Sequence, residues 1–162
     1  MEIERKYLMK MPPRNLGDYN KSEIEQAYLC TEPVIRIRKK DQEYILTYKS
    51  KGLMEREELE VPLDEKSYQH LLKKCDGSVI SKTRYYIPID DGLTVEVDIF
   101  KHGYDGLIIA EVEFPDRETA DSFRPPMWLK KEVTEDIRFH NSNLCMMSDN
   151  ERITLLRELL YN

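Results

Sequence analysis

The sequence predicts an α+β chain that is mainly β, a closed eight-stranded antiparallel barrel with a charged lumen and flanking helices. Three observations carry that expectation. Period-two alternation runs through most of the 162 residues, which is the strand signature. Charged residues make up 35% of the chain, well above the roughly one-quarter usual for globular proteins, and both signs recur on one face of successive strands. The opposite faces are apolar, and amphipathic helical segments follow them in the chain. A half-exposed sandwich accounts for any one such strand. A whole set of them, apolar outside and charged inside, predicts a barrel whose lumen holds one small ligand.

In Glu2-Ile3-Glu4-Arg5-Lys6-Tyr7, the residues Glu2, Glu4 and Lys6 share a face. A further strand is expected near Gln26–Thr31, and Arg36 and Arg38 then oppose Ile35 and Ile37. Thr47, Lys49 and Lys51 line up next, followed by Arg56, Glu58 and Glu60 opposite Leu59 and Val61. The second half continues with Lys82 and Arg84, then Glu96 and Asp98, then Glu111 and Glu113.

Helices interrupt the alternation. Asp64 is placed to cap a helix over 65–75, where Tyr68, Leu71, Leu72 and Cys75 form an apolar stripe. Pro115-Asp116 starts a short helix that stops before Pro125-Pro126. Ser148 and Glu151 form a capping-box pattern ahead of a terminal helix whose Ile153, Leu155, Leu156, Leu159 and Leu160 predict a wide packed face. No repeat or linker divides the chain, so residues 1–162 are expected to form one domain.

The net charge of −6 argues against nucleic acid as a partner. Cys30, Cys75 and Cys145 are odd in number and far apart, as expected of reduced thiols in the cytoplasm. No apolar run approaches a signal peptide or the ~20 residues of a membrane span. A monomer and a homodimer are both compatible with the sequence.

Buried charges need counter-charges or ions. A lumen offering many carboxylates and many cations suits a polyanion carrying a hard divalent metal, because such metals take carboxylate and phosphate oxygens. Arg forks and Lys ammonium groups would hold the remaining phosphate oxygens.

The opening Glu2-x-Glu4-x-Lys6 resembles the ExExK signature of the CYTH proteins, also called triphosphate tunnel metalloenzymes. The pairs Arg36-x-Arg38, Lys49-x-Lys51, Lys82-x-Arg84, Glu96-x-Asp98 and Glu111-x-Glu113, and the run Arg56-x-Glu58-x-Glu60, follow that family's order. Glu132-Val133-Thr134 with Asp136 resembles the segment near the end of its barrel. Phe139, ahead of Asn141, departs from the family's usual Tyr.

The resemblance implies hydrolysis or cyclisation of triphosphate compounds with Mg2+ or Mn2+. Glu2, Glu4, Glu111 and Glu113 are then the expected metal ligands. Lys6, Arg36, Arg38, Lys49, Arg56, Lys82 and Arg84 are the expected phosphate contacts. Glu2 and Glu4 join the catalytic set, and the base for the attacking water is open among Glu60, Asp98 and Glu111. No aromatic or amide cluster is set aside for a nucleobase, which favours inorganic tripolyphosphate. The alternatives are a nucleoside or thiamine triphosphatase or an adenylyl cyclase on the same barrel, and a non-catalytic polyphosphate-binding module. His70, His102 and His140, Trp128 and the Lys39-Lys40 pair are expected to be structural or solvated.

Overall fold

The computed structural model describes residues 1–161. Asn162, the last residue of the predicted domain, lies outside them. In chain order the elements are β1 (Glu2–Met9), β2 (Asn20–Thr31), β3 (Val34–Lys40), β4 (Glu43–Lys49), β5 (Glu55–Arg56), β6 (Glu58–Leu63) and α1 (Glu65–Leu72). They continue with β7 (Asp76–Pro88), β8 (Thr94–Phe100), β9 (Ile108–Glu113), α2 (Arg117–Ser122), β10 (Lys131–Glu132), α3 (Asn141–Leu144) and α4 (Asp149–Tyr161).

The strands pair antiparallel in the order β10-β1-β9-β8-β7-β2-β3-β4-β6, and β5 returns to β1. Only Glu57 separates β5 from β6, so the two act as one broken stave and the circuit has the predicted eight members. Glu2 pairs with Arg56 on one side of the break and Lys49 with Glu58 on the other. The Glu57 amide donates to the Ser50 hydroxyl at 2.9 Å, which bridges the interruption.

Closure is nearly complete. Farther along β1, the Glu4 amide bonds the Met54 carbonyl, and the Lys6 amide bonds the Thr134 hydroxyl at 3.0 Å. The two-residue β10 then covers Tyr7 and Leu8. Backbone donors along this seam are thus satisfied without a full ninth strand.

Three apolar clusters form, each under a cover, two on the outer face and one inside the barrel beneath α3 and α4. Ile80, Phe100, Leu107 and Ile109 lie beneath Leu144 of α3 and Leu155 of α4. Ile3, Tyr7, Val95, Val97 and Val112 pack with Ala120 of α2, Leu129 and Trp128. Ala27 and Ile37 meet Tyr68, Leu71 and Leu72 of α1. Each fully buried aliphatic side chain contributes about 1.5–3 kcal/mol of transfer free energy. Trp128 is a packing residue, as expected from sequence.

The caps follow the sequence closely. Asp64 accepts from the Ser67 amide at 2.6 Å, Asp116 from Thr119 at 2.7 Å, and the Ser148 hydroxyl from Glu151 at 3.2 Å. Two helical expectations need correction. Helix α1 ends at Leu72 rather than at Cys75, because the chain turns through residues 73–75 into β7. Gly77, the second residue of β7, has φ +68°, and a Cβ there would meet the Cys145 carbonyl, which accepts from the Ser78 amide. On α4 only Leu155, Leu156 and Leu159 pack, while Ile153 and Leu160 are exposed, because the barrel touches one narrow face of the helix.

Candidate active site

The lumen is a cavity of about 250 Å³, below the ~300–1,000 Å³ of typical organic-ligand pockets. Its wall includes Glu2, Glu4 and Lys6 of β1, Arg36 and Arg38 of β3, Lys49 of β4 and Arg56 of β5. Glu58 and Glu60 of β6, Lys82 and Arg84 of β7, Glu96 of β8, and Glu111 and Glu113 of β9 complete the charged ring. Period-two alternation sends these side chains inward together, as each neighbouring residue faces the outer apolar clusters. Of the sequence-predicted site residues only Asp98 does not line the cavity.

Asp98 lies behind that wall. Its carboxylate is fully buried, 2.7 Å from the Lys82 ammonium and bonded by both Arg84 Nε and Nη2 at 2.7 and 2.9 Å. Burial opposes its ionisation, yet Arg84 and Lys82 outweigh burial and hold its pKa below the usual range. A carboxylate so engaged, and off the cavity wall, orients its partners rather than a water in the cavity. Glu60, another candidate base, is exposed at the mouth. Lys51 is outside altogether, its side chain 78% exposed and paired with Glu32.

The remaining cations divide sharply. Lys6 meets Glu111 at 3.4 Å, Lys49 meets Glu2 at 2.8 Å and Glu58 at 3.2 Å, and Arg56 meets Glu2 at 3.2 Å. Arg84 also reaches Glu96, and Glu111 at 3.7 Å. Arg36 and Arg38 form no ion pair among the described residues. Arg38 donates to the Gln26 amide oxygen at 2.7 and 3.0 Å. Arg36 donates to the Thr47 hydroxyl at 3.1 Å, and its Nε is buried with no partner. Burial, then the charges of Arg36 and Arg84, press the Arg38 pKa down to about 9. This wall is short of negative charge.

The opposite imbalance appears on β1, β8 and β9. Burial, then the charge of Glu111, raises the pKa of Glu4. Burial and the charges of Glu2, Glu96, Glu58 and Glu4 raise that of Glu113. Glu111 is the exception: burial opposes its charge, but Lys6 and Arg84 hold its pKa well below the carboxylate range.

Among the described residues no three His, Cys, Asp or Glu side chains converge into a ready-made metal cage. The expected convergence of Glu2, Glu4, Glu111 and Glu113 is diverted, because Glu2 turns to Lys49 and Arg56 and Glu111 to Lys6. The donor chemistry still fits a hard divalent ion. All donors are oxygens, carboxylates crowd one another, and such ions take one or two protein carboxylates with substrate oxygens completing the shell.

Tyr28, Lys40, His140, Asn141 and Ser142 also line the cavity. His140 stands at a helix start as expected, and both it and Lys40 also face the cavity. Lys40 continues the Arg36, Arg38 alternation, a signal present in the sequence. The 140–142 segment joins the site only through packing of α3 against the barrel, and no pattern announces it. Phe139 contributes its carbonyl, which accepts from the Lys6 ammonium at 3.4 Å, so a polar role at this position survives the loss of a side-chain hydroxyl.

A barrel of inward-facing carboxylates and cations, shaped for a polyanion and a hard metal, defines the class. The CYTH domain model matches residues 1–135, and the chain belongs to the CYTH family. An inorganic triphosphatase from Nitrosomonas europaea is 36% identical over 148 residues, covering 90% of this chain and 97% of that protein. One from Acetivibrio thermocellus is 36% identical over 153 residues, covering 88% and 92%. The crystal structure of an inorganic triphosphatase aligns with a TM-score of 0.67 at 34% identity, covering 91% of this chain and 96% of that one. A Hippeastrum protein named for adenylyl cyclase, with a dominant triphosphatase activity, shares the fold at a TM-score of 0.59 and 20% identity, covering 75% and 83%.

Proposed function

We propose that this chain is a metal-dependent triphosphatase that hydrolyses inorganic tripolyphosphate to pyrophosphate and phosphate. The observation that carries the reading is Arg36 and Arg38, two lumenal guanidiniums without a carboxylate, in a site where Lys6, Lys49, Arg56, Lys82 and Arg84 are each ion-paired. An unpaired buried cation is costly, and a bound phosphate removes the cost. The names of the two relatives, each covered over more than nine-tenths of its length, support the same activity.

Glu2, Glu4 and Glu113, with Glu111 beside them, would hold Mg2+ or Mn2+, which supplies charge neutralisation on the phosphate oxygens. Arg36 and Arg38 bind the chain of phosphates, and Lys6, Lys49, Lys82, Arg84 and Arg56 complete the cradle. Water attacks the terminal phosphorus in line, and the bridging oxygen leaves with pyrophosphate. Of the three candidate bases, Glu111 is the one we assign to the water. It faces the cavity and is partly buried, whereas Glu60 is at the open mouth and Asp98 lies behind the wall. Phosphate binding at Lys6 and Arg84 would release Glu111 from those two partners.

The cavity size and the absence of an aromatic platform favour a substrate without a base or sugar. We read residues 1–162 as one domain, since Leu144 and Leu155, beyond the family match, pack into the barrel's own core. Among the described residues no helix is long and apolar enough to cross a membrane. The three cysteines are free thiols, which supports the cytoplasm.

The test is phosphate release from tripolyphosphate, pyrophosphate, ATP and thiamine triphosphate with each metal. We expect kcat/KM for tripolyphosphate at least ~10-fold above that for ATP, about 1.4 kcal/mol of transition-state stabilisation. Faster turnover of ATP, or formation of cyclic AMP, would overturn the inorganic substrate.

A further inference from the structure

His140 stands at the start of α3, buried and against the cavity. It does not cap the helix, for its side chain makes no capping bond. One ring nitrogen, Nε2, lies 3.4 Å from the Thr134 carbonyl. A carbonyl only accepts, so Nε2 carries the hydrogen, and in the neutral ring Nδ1 is left with a lone pair. Nδ1 has no protein partner among the described residues, and it is not among the buried atoms left without one. It is therefore accessible, on a ring that lines the cavity.

Around the ring, Lys6 of β1 and Arg56 of β5 oppose a positive charge, and Glu111 of β9 favours one. On its own segment, Arg138 is paired with Asp136 at the surface. Next along the chain, Asn141 accepts from Lys82 of β7, whose counter-ion is Asp98 of β8. Burial, followed by Lys6, depresses the imidazole to about 4, and among the charges the two cations outweigh Glu111. A polyanion drawn into the lumen reverses that balance. It neutralises Lys6 and Arg56, and it presents oxygens that a lone pair cannot bind but an N–H can.

We propose that His140 is a further substrate-binding residue, which takes a proton from solvent when the polyphosphate enters and donates it, from Nδ1, to a phosphate oxygen. The inference rests on the triphosphate reading of the tunnel. It makes binding proton-linked, with a definite sign. The imidazole pKa is higher in the complex than in the free protein, so affinity rises as pH falls through the bound-state value and levels off near 4.

The test uses the whole chain, inorganic tripolyphosphate and no divalent metal. The imidazole protons of His140 are followed by NMR across pH, free and saturated, with saturation checked independently by calorimetry. We expect the bound pKa to lie at least one unit above the free one, which corresponds to a tenfold gain in affinity on full protonation. His140→Gln should bind as the natural chain does at pH 8 and lag it about threefold or more at pH 4.5, where protonation of the polyanion itself affects both proteins alike. A saturated tunnel with an unmoved His140 would overturn the proposal and leave the triphosphate reading standing, as would an equal loss by the variant at both pH values. Absence of any tripolyphosphate binding would instead remove both.

Discussion

Strands β3 and β7 carry the same short pattern, two basic residues one apart, and they flank the same neighbour β2, yet the barrel uses them differently. Lys82 and Arg84 on β7 close on Asp98 of the adjacent β8. Arg36 and Arg38 on β3 face Gln26 and Thr47 instead, because their neighbouring strands place an amide and a hydroxyl where β8 places an acid. The comparison separates two meanings of a lumenal cation. One set is neutralised in advance and fixes the shape of the site. The other is left short of counter-charge and is available to a ligand.

The largest effect should come from breaking the neutralised set. Asp98→Asn keeps the volume but leaves Lys82 buried without its counter-ion and Arg84 with only Glu96 and Glu111, and loss of one partner in such a pair typically costs ~3–5 kcal/mol. For a chain of this length that corresponds to a fall of roughly 10 °C in Tm, measurable by thermal denaturation. An unchanged Tm would show that Asp98 is dispensable to the scaffold.

Next in size is the acidic side that faces both sets. Glu4→Gln should preserve the fold and cut turnover at least ~100-fold at saturating metal, the scale of a removed electrostatic element in a transition state. Because burial and Glu111 already disfavour its charge, the substitution should not lower Tm. Full activity in the variant would remove Glu4 from the metal-holding group.

The smallest shift sharpens the comparison most. Arg38→Ala should weaken tripolyphosphate binding by ~10-fold or more, as befits a charged hydrogen-bond donor worth about 1.5–3 kcal/mol. Its Tm without ligand should hold or rise, since the guanidinium is repelled by Arg36 and Arg84 in the empty lumen. The ligand-induced rise in Tm should shrink relative to the natural chain. If Arg38→Ala instead destabilised the free protein as Asp98→Asn does, the distinction between the two strands would collapse.

Much of this was legible in the residues. Alternation names nearly every inward side chain, because a strand has only two faces and the apolar one must be covered. The helix caps at Asp64, Asp116 and Ser148 were readable for a similar reason, since their bonds span three residues. Helix α1 ran shorter than its stripe, as Cys75 fits the period but falls in the turn into β7. Ile153 and Leu160 fit the helical period yet are exposed, since such a pattern states what can be buried and not how much surface the barrel offers.

The sequence by itself determined the staves, their charged faces and the kind of ligand those faces require, because each depends on contacts within a few residues along the chain. Only the tertiary structure decided which charges cancel. Pairing Lys82 and Arg84 with Asp98 depends on β7 lying beside β8, and the isolation of Arg36 and Arg38 depends on β2 and β4 being their neighbours. It also brought His140 and Asn141 to the lumen by packing α3 against the barrel from more than a hundred residues beyond β1. The physical reason is range. Strand periodicity is a property of adjacent residues, whereas the fate of a buried charge is set by whichever groups the closed barrel places within a few ångströms of it.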